Sequence, residues 1–321
     1  MKMNLKVKLG KLELPNPIVC ASGTFGFGEE LAGLVNYNCI GAFITKTVTL
    51  LPRAGNPPPR IYDTGCGIIN SVGLENPGLD VFIKEKLPLI RLLAVKCIVS
   101  IGGNSNQEYA ECLKKLDKQK GISGFEINLS CPNLNPVRDK LSSDSCKISN
   151  GVKLKKLISQ SAKMTYNLTK NLRKLTKKPL FIKITPEVTD IVEIAKVVEA
   201  GGADAVSLVN TFFSLAINIE TQKPYLGNVY GGYSGRAIKP LSLYRVWKAA
   251  QNVRIPVIGG GGIESANDAI EFILAGAAAV SLGTINLVDP NSAKAVLAGI
   301  KEYMRKKKIK NINELRGRLN A

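Results

Sequence analysis

The sequence contains no histidine, and that absence excludes more chemistry than any other. There can be no Ser–His–Asp triad, no histidine general base and no imidazole metal ligand. Acid–base work falls to cysteine, lysine, carboxylates, tyrosine or serine. The seven cysteines, Cys20, Cys39, Cys66, Cys97, Cys112, Cys131 and Cys146, are odd in number and never form C-x-x-C. That spacing argues against a disulfide framework, a zinc site or an iron–sulfur cluster held by this chain. Reduced thiols fit the cytosol. No apolar run has the length of a membrane span. The N-terminus, MKMNLKVKLGKLELPNP, lacks the continuous apolar stretch of a secretion signal, and its alternation reads as a short hairpin. Aromatic residues make up only 6%, and none interleave with the basic runs as base-stacking platforms. Acidic residues are scarce too: Lys+Arg 44 against Asp+Glu 25 gives +19. We read this charge as a lysine-rich surface, with anionic small ligands as secondary beneficiaries, and expect neither nucleic acid nor membrane as a partner.

What is present alternates. Eight short apolar segments read as strands: Pro17–Ala21, Ala42–Lys46, Cys97–Ile101, Gly124–Ser130, Leu180–Ile184, Ala205–Val209, Pro256–Gly259 and Ala279–Leu282. Helical patterns lie between most of them, at Asn106–Lys118, Lys153–Lys174, Val188–Ala200, Leu241–Gln251, Ser265–Ala275 and Ser292–Lys306. Strand–helix alternation implies a parallel sheet. Eight units in 321 residues imply an α/β fold, a (β/α)8 barrel, with the N-terminal β-hairpin closing its bottom and residues 1–321 forming one domain. A doubly wound sheet is the alternative, but no G-x-G-x-x-G follows the first strand. Glycines in Ala200-Gly-Gly-Ala203 and Ala275-Gly-Ala277 read as helix C-caps. The stretch PRAGNPPPR (52–60) reads as a stiff loop on the active side.

The informative residues fall just after strands, on the face where barrel enzymes keep their sites. GFEINLSCPN (124–133) runs a strand into Cys131, held extended by Pro132 and flanked by Asn128 and Asn133. A buried packing cysteine is the plain alternative. Gly259–Gly262 and Gly283-Thr284 follow the seventh and eighth strands, and glycine-rich loops there suit a phosphate. Lys46 and Lys183 end apolar segments, where a lysine is costly without an anionic partner. Asn70, Asn128, Asn133 and Asn210 make a set of neutral amides that suits a flat, polar heterocycle.

Taken together, ASGTFGFG, TKTVT, PRAGNPPPR, NSVGLENPG, INLSCPN, LVNTF, GGYSGRAIKP, IGGGGI and SLGT resemble the dihydroorotate dehydrogenase family over nearly the whole chain. TKTVT with GNPPPR, and cysteine before Pro132, are similar to its class 1B catalytic subunits. The resemblance implies an FMN-containing barrel that oxidises (S)-dihydroorotate to orotate in pyrimidine synthesis. It implies a homodimer core within a heterotetramer, whose second subunit carries FAD and an iron–sulfur (2Fe-2S) cluster and passes electrons to NAD. Cys131 would be the base at C5. Ser22, Lys46, Thr47, Ser100, Asn128, Lys183, Val209, Gly235, Gly261, Gly262, Gly283 and Thr284 would hold FMN. Lys46, Asn70, Ser71, Val72, Gly73, Leu74, Asn128, Asn133, Asn210 and Thr211 would hold substrate; no metal is expected. Three departures stand out: Ser100 where the family usually has asparagine, the longer loop LNPVRDKLSSDSCKISNG after Asn133, and Arg236 where proline is frequent. A fumarate-linked class 1A enzyme and a tRNA dihydrouridine synthase are the alternatives, the second expected to need a further RNA-binding domain. A non-enzymatic binding protein on the same scaffold would leave the cysteine and the asparagines unexplained.

Overall fold

The computed structural model describes residues 3–130 and 157–320. Eight parallel strands close into a barrel in chain order: β1 (Ile18–Cys20), β2 (Ala42–Ile44), β3 (Lys96–Ile101), β4 (Gly124–Asn128), β5 (Leu180–Lys183), β6 (Ala205–Leu208), β7 (Val257–Gly260) and β8 (Ala279–Leu282), with β8 returning to β1. All eight coincide with the expected strands to within two residues at either end. They are buried on both faces, one turned to the barrel axis and one to the surrounding helices, which is why several read as unbroken apolar runs.

The hairpin forms as expected, pairing Val7–Leu9 antiparallel with Leu12–Leu14. Its turn glycine, Gly10, sits so close to Asp204 that a Cβ there would fall 2.6 Å from the Asp204 Cβ. Asp204 immediately precedes β6, so the hairpin lies at the N-terminal end of the barrel and leaves the other end open.

The helices begin where capping side chains start them. The expected helix at 188–200 starts at Ile191 because Asp190 accepts from the Val192 N–H (2.9 Å). The segment expected as one helix over 153–174 is instead a short turn, Ile158–Gln160, and a helix, Ala162–Arg173; Ser161 breaks the run by capping the second piece. Residues 153–156 lie outside the described residues. Pro240 sits in the first turn of Lys239–Ala250, which lets that helix begin ahead of the expected Leu241. Gly202 and Gly276 adopt positive φ at helix ends, as the two glycine motifs suggest. No helix among the described residues is long and apolar enough to cross a membrane.

Two features were not anticipated. A helical run covers 79–90 in the connection between β2 and β3. A four-stranded antiparallel sheet joins Phe212–Ser214, Gly231–Ser234, Ile68–Asn70 and Ile61–Asp63 in that order. It ties the loop after β2 to the loop after β6, with Asn70 opposite Gly232 and Ile69 opposite Tyr233. Each of its strands has only three or four residues, too few to establish a period of their own.

Candidate active site

The strand-end residues converge on one cavity at the open end of the barrel. Ser22, Lys46, Thr47 and Asn128 line it from the first half of the chain. Lys183, Val209, Asn210 and Thr211 line it from the middle, and Gly235, Gly261, Gly262, Gly283 and Thr284 from the last third. Asn70, Val72, Gly73 and Leu74 reach it from the long connection after β2. Residues 46 and 284 thus share one concave surface because the barrel brings all its strand ends to one face.

Two expected contacts are corrected. Ser100 does not line the cavity. It is fully buried behind it, its hydroxyl 2.9 Å from the Thr47 hydroxyl and its N–H donating to Thr45 Oγ1 (3.1 Å). A serine is too short to reach past Thr47, so it supports that residue instead. Ser71 is also fully buried, turned away to accept from the Asn56 amide (3.0 Å). Arg236, next to the cavity-lining Gly235, is exposed and does not line the cavity. Cys131, Asn133 and the long loop after them lie outside the described residues.

Short polar side chains knit the cavity floor. Thr47 Oγ1 lies 3.3 Å from Ser22 Oγ and accepts from the Asn128 amide (3.3 Å). Asn128 Oδ1 accepts from the Ser130 N–H and hydroxyl, both at 3.2 Å, and Tyr109 OH donates to the Asn128 carbonyl (2.8 Å). On the far side the Asn210 amide donates to Ser130 O (2.8 Å) and Oγ (2.9 Å). The amides are therefore held by their own backbone and by hydroxyls, which fixes their direction before any ligand arrives. Ser130, the last described residue before Cys131, belongs to this network.

Of the two lysines, Lys46 has a protein partner: Glu75 stands 4.0 Å from its ammonium and is itself gripped by Arg60 at 2.7 Å. Lys183 lines the cavity and forms no ion pair among the described residues.

The glycines carry the test of whether a phosphorylated cofactor fits. Gly261 has φ +114°, and a Cβ there would fall 2.3 Å from Ser242 Oγ, so the fold itself demands glycine. At Gly283 a Cβ would meet only the Ala21 Cβ, at 3.9 Å. Nothing among the described residues requires glycine there. A side chain would simply occupy the cavity, so the space is kept for an occupant. With Gly262 and the Thr284 hydroxyl, which donates to Ser234 Oγ (2.9 Å), this end of the cavity suits a phosphate.

Sequence reasoning missed Ser207, Ser281 and Ser234, which also line the cavity. A signal existed for the first two: β6 and β8 share the tetrapeptide AVSL, with the lone polar residue at the same inward position.

Comparison with known proteins agrees with this geometry. The family model described as dihydroorotate dehydrogenase matches residues 4–304. A relative from Thermoanaerobacter pseudethanolicus, named dihydroorotate dehydrogenase B (NAD(+)), catalytic subunit, is 47% identical over 319 residues, covering 99% of this chain and 100% of its own. A protein of the same name from Desulforamulus reducens is 43% identical over 317 residues, 99% of each chain. Among solved structures, a dihydroorotate dehydrogenase from Eimeria tenella in complex with ferulenol has the same fold, with TM-score 0.78 at 24% identity, over 98% of this chain and 88% of that one. With the match spanning nearly the full length and the cavity formed by the residues that carried the resemblance, the chain belongs to the dihydroorotate dehydrogenase family.

Proposed function

We propose that this chain is the catalytic subunit of an NAD-linked dihydroorotate dehydrogenase. It oxidises (S)-dihydroorotate to orotate in pyrimidine biosynthesis, working in the cytosol, where the five free thiols among the described residues stay reduced. The family's enzymes are flavin-dependent, and we assign FMN as the flavin of this chain. One observation carries the reading: two glycine loops meet at one end of a cavity whose other wall is Asn70, Val72–Leu74, Asn128 and Asn210. That arrangement suits a single phosphate at one end and a small heterocycle with carbonyl and N–H edges at the other.

When bound, FMN supplies the acceptor for the hydride that leaves C6 of dihydroorotate. The rest falls to the chain. Gly261, Gly262, Gly283 and Thr284 would hold the FMN phosphate through backbone N–H groups. Asn128 and Asn210, fixed by Ser130, orient the substrate's amide edges. Lys46 would set its positive charge against the anionic substrate, and Lys183 would help hold the flavin. Cys131 takes the C5 proton at Sγ; loss of that proton and the C6 hydride leaves the C5=C6 bond of orotate. Asn133 and the Ser71 and Ser100 neighbourhood act in support.

The relatives' designation as an NAD-linked catalytic subunit supports a separate electron-transfer partner. We infer that the partner carries FAD and an iron–sulfur cluster, and that two copies of this chain form the core of a heterotetramer. The test is direct. Denaturing the purified protein is expected to release one FMN per chain, and anaerobic dihydroorotate is expected to bleach the flavin band. Release of FAD alone, or a flavin that dihydroorotate does not reduce, overturns the proposal.

A further inference from the structure

Below the cavity floor, the barrel interior holds a carboxyl for which the reaction just described has no task. Along β4, Asn128 faces the cavity, so Glu126 two residues earlier shares its inward face one level deeper. The strand register places Glu126 beside Ser100 of β3 and Phe181 of β5, while Lys183 stands beside Asn128 and Ser207 on the level above. Glu126 is 0% exposed, and neither of its oxygens makes a well-formed hydrogen bond among the described residues, the Ser207 hydroxyl being its one nearby donor. An ionised carboxylate left this way loses its hydration with little in return, so the balance between its charged and neutral forms depends on the charge that lies nearby.

Burial pushes the Glu126 carboxyl above the ordinary range, while Lys183 and the Ser207 hydroxyl favour the ionised form. Lys183 is the only charged group among the described residues that acts on it. Of the elements packed against β4 inside the barrel, β3 contributes Ile98 and Ser100 and β5 contributes Phe181 and Lys183 at these levels. The same lysine faces the cavity, so negative charge placed there competes with Glu126 for it. A row of hydroxyls also runs from beside Glu126 to the cavity wall, stopping short of a hydrogen bond to the carboxyl itself. Ser100, the cross-strand neighbour of Glu126, is 2.9 Å from Thr47 Oγ1, which is 3.3 Å from Ser22 Oγ on the cavity wall. Either hydroxyl of each pair can donate, so the chain of hydroxyls can turn over to pass a proton in either direction.

We propose that Glu126 is the proton store of the barrel interior: it gains a proton when negative charge arrives in the cavity and releases it when that charge leaves, with Lys183 coupling the two. The proposal rests on the function assigned above. In each cycle the electron pair enters the cavity with the substrate's hydride, and one O–H bond forms at a Glu126 oxygen, its proton drawn from solvent. When the pair passes to the partner subunit, that O–H bond breaks and the proton returns to solvent. Substrate and final acceptor supply and remove all the electrons.

The test is the pH dependence of the bound flavin's midpoint potential, in the holoenzyme and in Glu126→Gln. Dithionite drives the titration, so failure of dihydroorotate to reduce the flavin, which would overturn the assigned function, leaves this readout intact. The wild type is expected to take up more protons per electron pair than the variant over a window above the usual carboxylate range. Each extra proton changes the reduction equilibrium constant tenfold per pH unit, about 30 mV for a two-electron couple. Identical pH dependence in both proteins overturns the proposal. Should the variant fail to fold, infrared difference spectra of wild-type protein grown with carboxyl-labelled glutamate decide it. A label-shifted protonated-carboxyl band that appears on reduction is the expected result, and its absence overturns the proposal.

Discussion

At the scale of single residues, the sequence disclosed positions where a residue type is costly or rare: a cysteine before proline, lysines ending apolar strands, glycines after strands. It did not disclose which way supporting side chains turn. Ser71 and Ser100 sit in the right motifs yet face away from the cavity, because contacts to Asn56 and Thr47 decide their direction. Glu126 was hidden by the pattern itself. Its alternation with Phe125 and Ile127 looks like a wetted face, but in a closed barrel the inner face is as dry as the outer. Glycine positions give a paired prediction. Gly261→Ala forces a positive φ and a clash with Ser242, so it is expected to cost roughly 1–3 kcal/mol in urea unfolding of the apoprotein and to weaken FMN binding. Gly283→Ala meets no such obstacle and is expected to leave apoprotein stability within about 0.5 kcal/mol of wild type while still raising the FMN Kd. Equal stability losses in the two variants would contradict the cradle. For the reaction itself, a free thiol has a pKa of about 8.5, so flavin reduction is expected to speed up with pH and level off at the thiol's pKa in the complex. Cys131→Ser is expected to bind orotate nearly normally and lose roughly 10²–10⁴-fold in stopped-flow reduction by dihydroorotate, with Cys131→Ala as slow or slower. An alanine variant of near wild-type speed would make Cys131 a packing residue.

At the scale of elements, the eight barrel strands were legible because each is a short apolar run bounded by turn or cap signals, and the helices because their apolar period and capping residues agree. The added four-stranded sheet was not, since its partners lie up to about 160 residues apart and pair through backbone rather than pattern. One element junction carries a prediction. Asp268 closes the capping box that starts the helix Ala266–Leu274 and receives the Lys239 ammonium at 2.6 Å. Burial alone would raise its carboxyl, but hydrogen bonds from Lys239 and Ser265 more than offset this and hold it below the usual carboxylate range. A depressed carboxyl contributes stability above its unfolded pKa and loses it as pH falls through the folded value. Asp268→Asn is therefore expected to cost about 1–2 kcal/mol at neutral pH, and this difference is expected to shrink on acidification below about pH 4. Urea midpoints at several pH values check it. A penalty that does not change between pH 7 and pH 3 would remove the ion pair from the explanation.

At the scale of the whole molecule, the assignment divides the work between two chains. The isolated catalytic chain is expected to pass electrons from dihydroorotate to artificial dyes but not to NAD, and to gain NAD reduction only with its partner. Steady-state assays with and without the co-expressed partner measure this. Rapid NAD reduction by the chain alone would contradict the division, and rapid fumarate reduction would move it to the other acceptor class. The small sheet that stitches Ile68–Asn70 to Gly231–Ser234 bears on how such an enzyme can be altered. The substrate-facing connection and the strand leading to Gly235 share backbone hydrogen bonds, so neither can be exchanged alone with a homologue's loop without stranding donors and acceptors. Segments 61–74 and 212–235 form one transplantable cassette, and changes of substrate preference in this scaffold have to travel through both at once.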